Sequence, residues 1–169
     1  MEIHLPWSGD QMPDKYAKYA PAANMRGGYP ILSFPFSISD VPVNTKYFAW
    51  SLLDYDAVPV GGFIWIHWLA TDLAASTTEI PENASQSGAV HFIQGRNSNA
   101  GRMVNVQDPL INQRYVGPQP PDQTHDYTLT VYALNAPLEL ENGFWYNAFR
   151  RELRGKVLAQ AKVEIPSQS

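Results

Sequence analysis

Apolar and β-branched residues along the chain fall into short runs, most of them too brief and too evenly filled for helices. Segments 47–53 (YFAWSLL), 63–70 (FIWIHWLA), 89–93 (AVHFI) and 127–134 (YTLTVYAL) read as strands. Prolines are scattered between them, and the spacing predicts a mostly β chain folded as an antiparallel β-sandwich. Strict alternation over 63–70 puts Phe63, Trp65, His67 and Leu69 on one face and Ile64, Ile66 and Trp68 on the other. Both faces are apolar, so this strand is expected to be central, with His67 desolvated and in need of a hydrogen-bond partner. The pattern predicts one clear helix, over 143–153 (GFWYNAFRREL), with Asn142 as its N-cap and Gly155 as its stop. Phe144, Ala148 and Phe149 would share the face that packs on the sheet edge. Beyond it, Val157, Ala159, Ala161, Val163 and Ile165 alternate as in a strand, although Ala-Gln-Ala-Lys could also continue as helix.

Composition narrows the picture. At 169 residues with 44% hydrophobic content, the chain is expected to form a single domain over 1–169 with a substantial core. Only 17% of residues are charged and the net charge is -4, so no broad basic face is available to a nucleic-acid backbone. There is no cysteine, which removes disulfides, thiolate zinc sites and cysteine nucleophiles. MEIHLPWSGD has no basic stretch followed by an apolar one, and no apolar run is long enough for a transmembrane segment. The expectation is a cytoplasmic protein with no cofactor.

Two groups of residues carry candidate chemistry. Asp54 and Asp56 close the strand 47–53, and a turn with Pro59, Gly61 and Gly62 leads into the strand of His67, so an antiparallel pairing would bring carboxylate and imidazole close. The second group lies in GPQPPDQTHDY (117–127), a rigid proline-dense loop that delivers His125 and Tyr127, two residues apart, to the start of another strand. Two imidazoles and a phenol can donate hydrogen bonds to an anion, with an aspartate to orient and charge the histidine beside it. Anion affinity should then rise as pH falls. No dense ligand spacing suggests a metal. The same Asp-His pair could serve a small-molecule hydrolase or lyase as acid and base, yet there is no Gly-x-Ser-x-Gly elbow and no glycine-rich phosphate loop opening a helix. His4 and His91 have no such company.

In their order these motifs resemble the phosphatidylethanolamine-binding protein family, which includes the Raf kinase inhibitor protein and small bacterial homologues. The resemblance runs through Asp-x-Asp-Ala, Gly-Phe before the His-Trp strand, QGRNS at 94–98, Gly-Pro-x-Pro-Pro before His-x-Tyr, and the ending LRGKVLAQAKVEI. It implies a β-sandwich with one or two short C-terminal helices and a small pocket at one end that accepts a phosphate-like or carboxylate anion. Carried over, the ligand-binding positions are Asp54, His67, Pro120, Pro121, His125 and Tyr127, with Asp56 and Trp65 beside them. It also implies a role in regulating a kinase or a protease, and leaves a homodimer open. The chain departs from the family in two places: Pro59 stands one position late after Asp54-Tyr55-Asp56-Ala57-Val58, and Asp126 replaces an arginine, which weakens any positive field there. Residues 99–114 (NAGRMVNVQDPLINQR) form a longer connection expected to fold over the pocket or present a contact surface, outside the core.

Overall fold

In the computed structural model, which describes residues 1–169, the strands are β1 (Glu2–His4), β2 (Met25–Arg26), β3 (Tyr29–Pro30), β4 (Phe36–Ser39), β5 (Tyr47–Asp54), β6 (Trp65–Ala74), β7 (Glu79–Ile80), β8 (Ile93–Gln94), β9 (His125–Leu134) and β10 (Val157–Ser167). The helices are short: α1 (Ala57–Gly61), α2 (Ala84–Ser87), α3 (Pro109–Asn112) and α4 (Tyr146–Glu152). Strands β10-β9-β5-β6-β8 form a five-stranded sheet, β1-β4-β7 a three-stranded one, and β2-β3 a separate hairpin. Every pairing is antiparallel.

The two larger sheets face each other across an aromatic core. Phe48, Trp50 and Leu52 of β5 and Tyr127, Leu129 and Val131 of β9 meet Phe36 and Ile38 of β4 there. Trp50 and Trp68 pack edge to face at 5.1 Å, and Phe36 meets Trp50 in the same way at 5.6 Å. Such offset contacts favour rings over aliphatic filling, which explains the aromatic weight of these strands. The outer face of the five-stranded sheet is covered as well. Ala49, Leu69 and Leu134 pack there against Phe144 and Phe149, whose rings stack at 5.8 Å. The helix α4 therefore covers a sheet face and not the sheet edge.

Three local expectations are corrected. The segment 89–93 is apolar because Phe92 enters the core beside Trp50 at 4.9 Å, but only Ile93 and Gln94 pair as strand. The last helix begins at Tyr146, with Trp145 in the cap position. Asn142 is occupied elsewhere, because its Oδ1 accepts the Gln94 N–H at 2.9 Å. Gly155, at φ +74°, does follow as the stop.

The face assignment in the His67 strand is corrected too. Phe63 and Ile64 lie outside β6 and are partly exposed. Leu52 pairs with Trp68 and Leu53 with Ile66, so His67 is an extra residue with no partner across the ladder. This β-bulge breaks the alternation. Trp68 enters the main core, whereas Ile66 and Leu69, three residues apart, both pack on the outer face. His67 keeps to the inner side, its ring edge-on to Tyr127 at 5.0 Å.

Candidate functional site

The antiparallel register brings the chemistry together. Asp54 ends β5 and stands opposite Trp65, which starts β6, and opposite Tyr127, near the start of β9. Three neighbouring strands thus present their polar residues at the same end of the sheet. A cavity of about 300 Å³ opens there. Asp54, His67, His125 and Tyr127 form its buried inner end. Trp65, Pro120 and Pro121 line its walls together with Val60 of α1 and Val104. Of the eight positions marked in the sequence, only Asp56 does not line it. Its carboxylate instead accepts the Asp126 N–H at 2.9 Å, joining the β5–α1 turn to β9. The Asp126 side chain is exposed and lies outside the cavity lining.

Asp54 pairs with His125 and not, as the sequence suggested, with His67. Its Oδ2 lies 2.9 Å from His125 Nδ1, and its Oδ1 accepts the Ala57 N–H at 3.0 Å, anchoring the first turn of α1. On the other side of the ring, His125 Nε2 lies 2.9 Å from Oδ1 of Asp122, a half-exposed residue. Carboxylate oxygens only accept, so both ring nitrogens carry protons and His125 is an imidazolium clamped between two aspartates. Burial opposes that charge, but the hydrogen bonds and fields of Asp54 and Asp122 outweigh it and raise the His125 pKa above its ordinary value. Asp122 is correspondingly held down by His125 against its own desolvation.

His67 is held differently. Its Nδ1 donates to the Val116 carbonyl at 2.8 Å, while the Val116 N–H donates back to the His67 carbonyl at 3.1 Å. Burial depresses the His67 pKa despite that bond and the nearby Asp54 charge. The ring is therefore neutral at pH 7, and its Nε2 carries a lone pair on the cavity side. Tyr127 is a firm phenol, since burial and the Asp54 charge push its pKa far above the ordinary range.

Sequence reasoning missed Asp122, Asn99 and the backbone of Val116. The spacing Asp-x-x-His could have suggested the first. Asn99 is set by a turn in which Asn97 Oδ1 accepts its N–H at 3.0 Å. Asn97 also donates to Ile111 O at 2.6 Å and Arg114 O at 2.9 Å, and the neighbouring Ser98 Oγ accepts the Ile66 N–H at 2.9 Å. The connection 99–114 is thus partly built into the fold, with Ile111 and Asn112 buried, and only its tip stands free, Met103 being 85% exposed. Asn97→Ala should cost about 2 kcal/mol through two orphaned carbonyls. Met103→Ser should stay within about 0.5 kcal/mol. Paired urea titrations check both.

No three His, Asp or Glu side chains are grouped to hold a metal ion, and no helix is long and apolar enough to cross a membrane.

Comparison with known proteins gives a consistent result. A model of the phosphatidylethanolamine-binding protein family matches residues 7–168. The Bacillus subtilis (strain 168) protein YxkA is 44% identical over 152 residues, 90% of each chain. A UPF0098 protein of Chlamydia muridarum is 30% identical over 135 residues, 78% of this chain and 79% of its own. Among solved structures, CT736 of Chlamydia trachomatis, described as a phosphatidylethanolamine-binding protein homologue, superposes with TM-score 0.78 at 25% identity, covering 99% of this chain and 96% of its own. Escherichia coli YbcL, described as a member of the mammalian family, superposes at 0.77 and 22% identity, covering 99% and 98%, a likeness of fold.

Proposed function

The chain belongs to the phosphatidylethanolamine-binding protein family, and from that premise we propose that it binds a small phosphorylated or carboxylic ligand in the cavity beside Asp54 without turning it over. The observation that carries this reading is the inner end itself: buried Asp54, His67 and Tyr127 face a cavity of ligand size whose lining includes no serine, threonine, cysteine or lysine to attack a substrate. The Asp-His pair that a hydrolase would use is spent on structure. Both His125 nitrogens are taken by carboxylates, and Asp54 is fixed by His125 and Ala57. Mainly apolar walls above a polar floor suit a ligand with one polar head. A kinase or protease regulated through this cavity would enter it with a phosphorylated or carboxylate side chain.

Titration with inorganic phosphate and with acetate, read by Trp65 fluorescence, tests this. Saturable binding should weaken about tenfold, near 1.5 kcal/mol, in His67→Gln and in Tyr127→Phe. Parent-like binding in both variants would remove the ligand from this cavity. Turnover of phosphomonoesters or carboxylic esters that disappears in His67→Gln would make the protein a hydrolase instead.

A further inference from the structure

A phosphate monoester or phosphonate has two ionisation states near neutral pH, and the groups around the cavity discriminate between them. Asp54 comes from β5, His67 from β6, and His125 and Tyr127 from β9, while Asp122 stands behind His125. Asp56 acts on Tyr127 only through its charge, and Tyr115 stays a neutral phenol because burial pushes its pKa well up. No lysine or arginine lines the cavity. Its one cation, His125, has both N–H groups committed to carboxylates, so the clamp of Asp54, His125 and Asp122 carries a net charge of about -1. His67 spends its proton on Val116 O and turns an acceptor to the cavity. A dianion would meet a carboxylate and a lone pair where it needs donors and positive charge. At the buried end the side-chain donors are the Tyr127 hydroxyl, which Asp54 also engages, and the Asn99 amide, 1% exposed, whose Nδ2 has no partner in the protein, while Tyr29, Trp65 and Gln119 carry further donors on the outer walls.

Resting on the ligand-binding role proposed for this same cavity, we infer that it takes an oxyacid that still carries a proton, the ligand O–H donating to His67 Nε2 and the ligand's acceptor oxygens receiving hydrogen bonds from Asn99 Nδ2 and the Tyr127 hydroxyl. A phosphate or phosphonate then binds as its monoanion, and a carboxylic acid as its neutral form. Selection follows from the proton on the ligand, with His67 remaining neutral. Asn99 becomes a binding residue whose buried amide gains its missing partner only when the ligand arrives.

The test uses the intact protein and three probes: methylphosphonate, trichloromethylphosphonate, whose second ionisation lies at distinctly lower pH, and sulfate, which has no proton to give. Affinities are measured calorimetrically from pH 5 to 8. Each phosphonate should lose about tenfold in affinity per pH unit above its own second pKa, with the break point following the ligand. Sulfate should bind at least about tenfold more weakly than methylphosphonate at pH 6. Asn99→Ala should lower both phosphonate affinities about tenfold without moving either break point, and Tyr127→Phe should do the same. Coincident break points, or sulfate binding as well as the phosphonates, would place the proton on the protein and overturn the inference while leaving the ligand-binding reading intact. Unchanged affinity in Asn99→Ala would overturn the role of Asn99. If none of the probes binds at any pH, the inference falls together with the reading beneath it.

Discussion

His125→Ala should cost about 3 kcal/mol of stability at pH 6 and distinctly less at pH 9. The substitution leaves the Asp54 carboxylate, 5% exposed, without its counter-charge, and breaking a buried pair is far more damaging than removing an exposed one. The pH dependence follows from the direction of the shift. The folded His125 binds its proton more tightly than the unfolded chain does, so its contribution is complete below the unfolded value of about 6.5 and fades as pH rises through the raised folded value. His67 has the opposite sense. Its folded pKa is depressed, so the native state loses stability as pH falls below about 6.5, and His67→Gln should remove that acid sensitivity. Urea titrations of the parent and both variants across pH 5 to 9 check the pair of slopes. Parallel profiles would mean that the two imidazoles share one environment.

Gly117→Ala should cost about 3 kcal/mol or more, while Gly61→Ala should be neutral or slightly stabilising. A β-carbon on Gly117 would lie 2.0 Å from the Tyr16 carbonyl oxygen and 2.9 Å from Pro30 Cβ. Neither neighbour can yield easily. The Tyr16 oxygen accepts from the buried Tyr115 hydroxyl at 2.7 Å, and the Gly117 N–H is itself bonded to Pro30 O at 2.8 Å. The same bonds seat Val116 against His67, so the variant should also lose ligand affinity. On Gly61 the added carbon meets only the Phe63 ring at 3.7 Å, an ordinary contact. Thermal melts of the two variants check this, and equal melting temperatures would contradict the packing described for Gly117.

The sequence made the long strands legible because their burial is nearly continuous. The run 47–53 became β5, 127–134 became most of β9, and the alternation after Gly155 became β10. Hydrophobicity reports burial and not backbone shape, which is why 89–93 misled: Phe92 is a core residue on an irregular segment. The bulge at His67 had no sequence signal, since neither glycine nor proline marks it, yet one extra residue reversed the faces of Trp68, Leu69 and Ala70 until a second shift before Leu73 restored them. Asp54, His67, His125 and Tyr127 at the inner end of the cavity were readable as types, whereas Tyr29, Asn99, Val104 and Gln119 on its walls were not. The pairing at the inner end was not readable either, because Asp54 meets His125 across 71 positions only through the adjacency of β5 and β9, and strand order is a property of the whole sheet.

A small oxyacid held at His67 and Tyr127, as proposed, requires His67 to be neutral with its Nε2 turned to the ligand. Long-range proton–nitrogen correlation spectra of the imidazole rings at pH 7 test it directly. Before ligand, His67 should show one protonated and one unprotonated ring nitrogen, and His125 two protonated ones. Adding inorganic phosphate should move the unprotonated nitrogen of His67 and leave both nitrogens of His125 in place. If phosphate binds while the His67 signals stay still, or if His67 is already doubly protonated at pH 7, the account is contradicted.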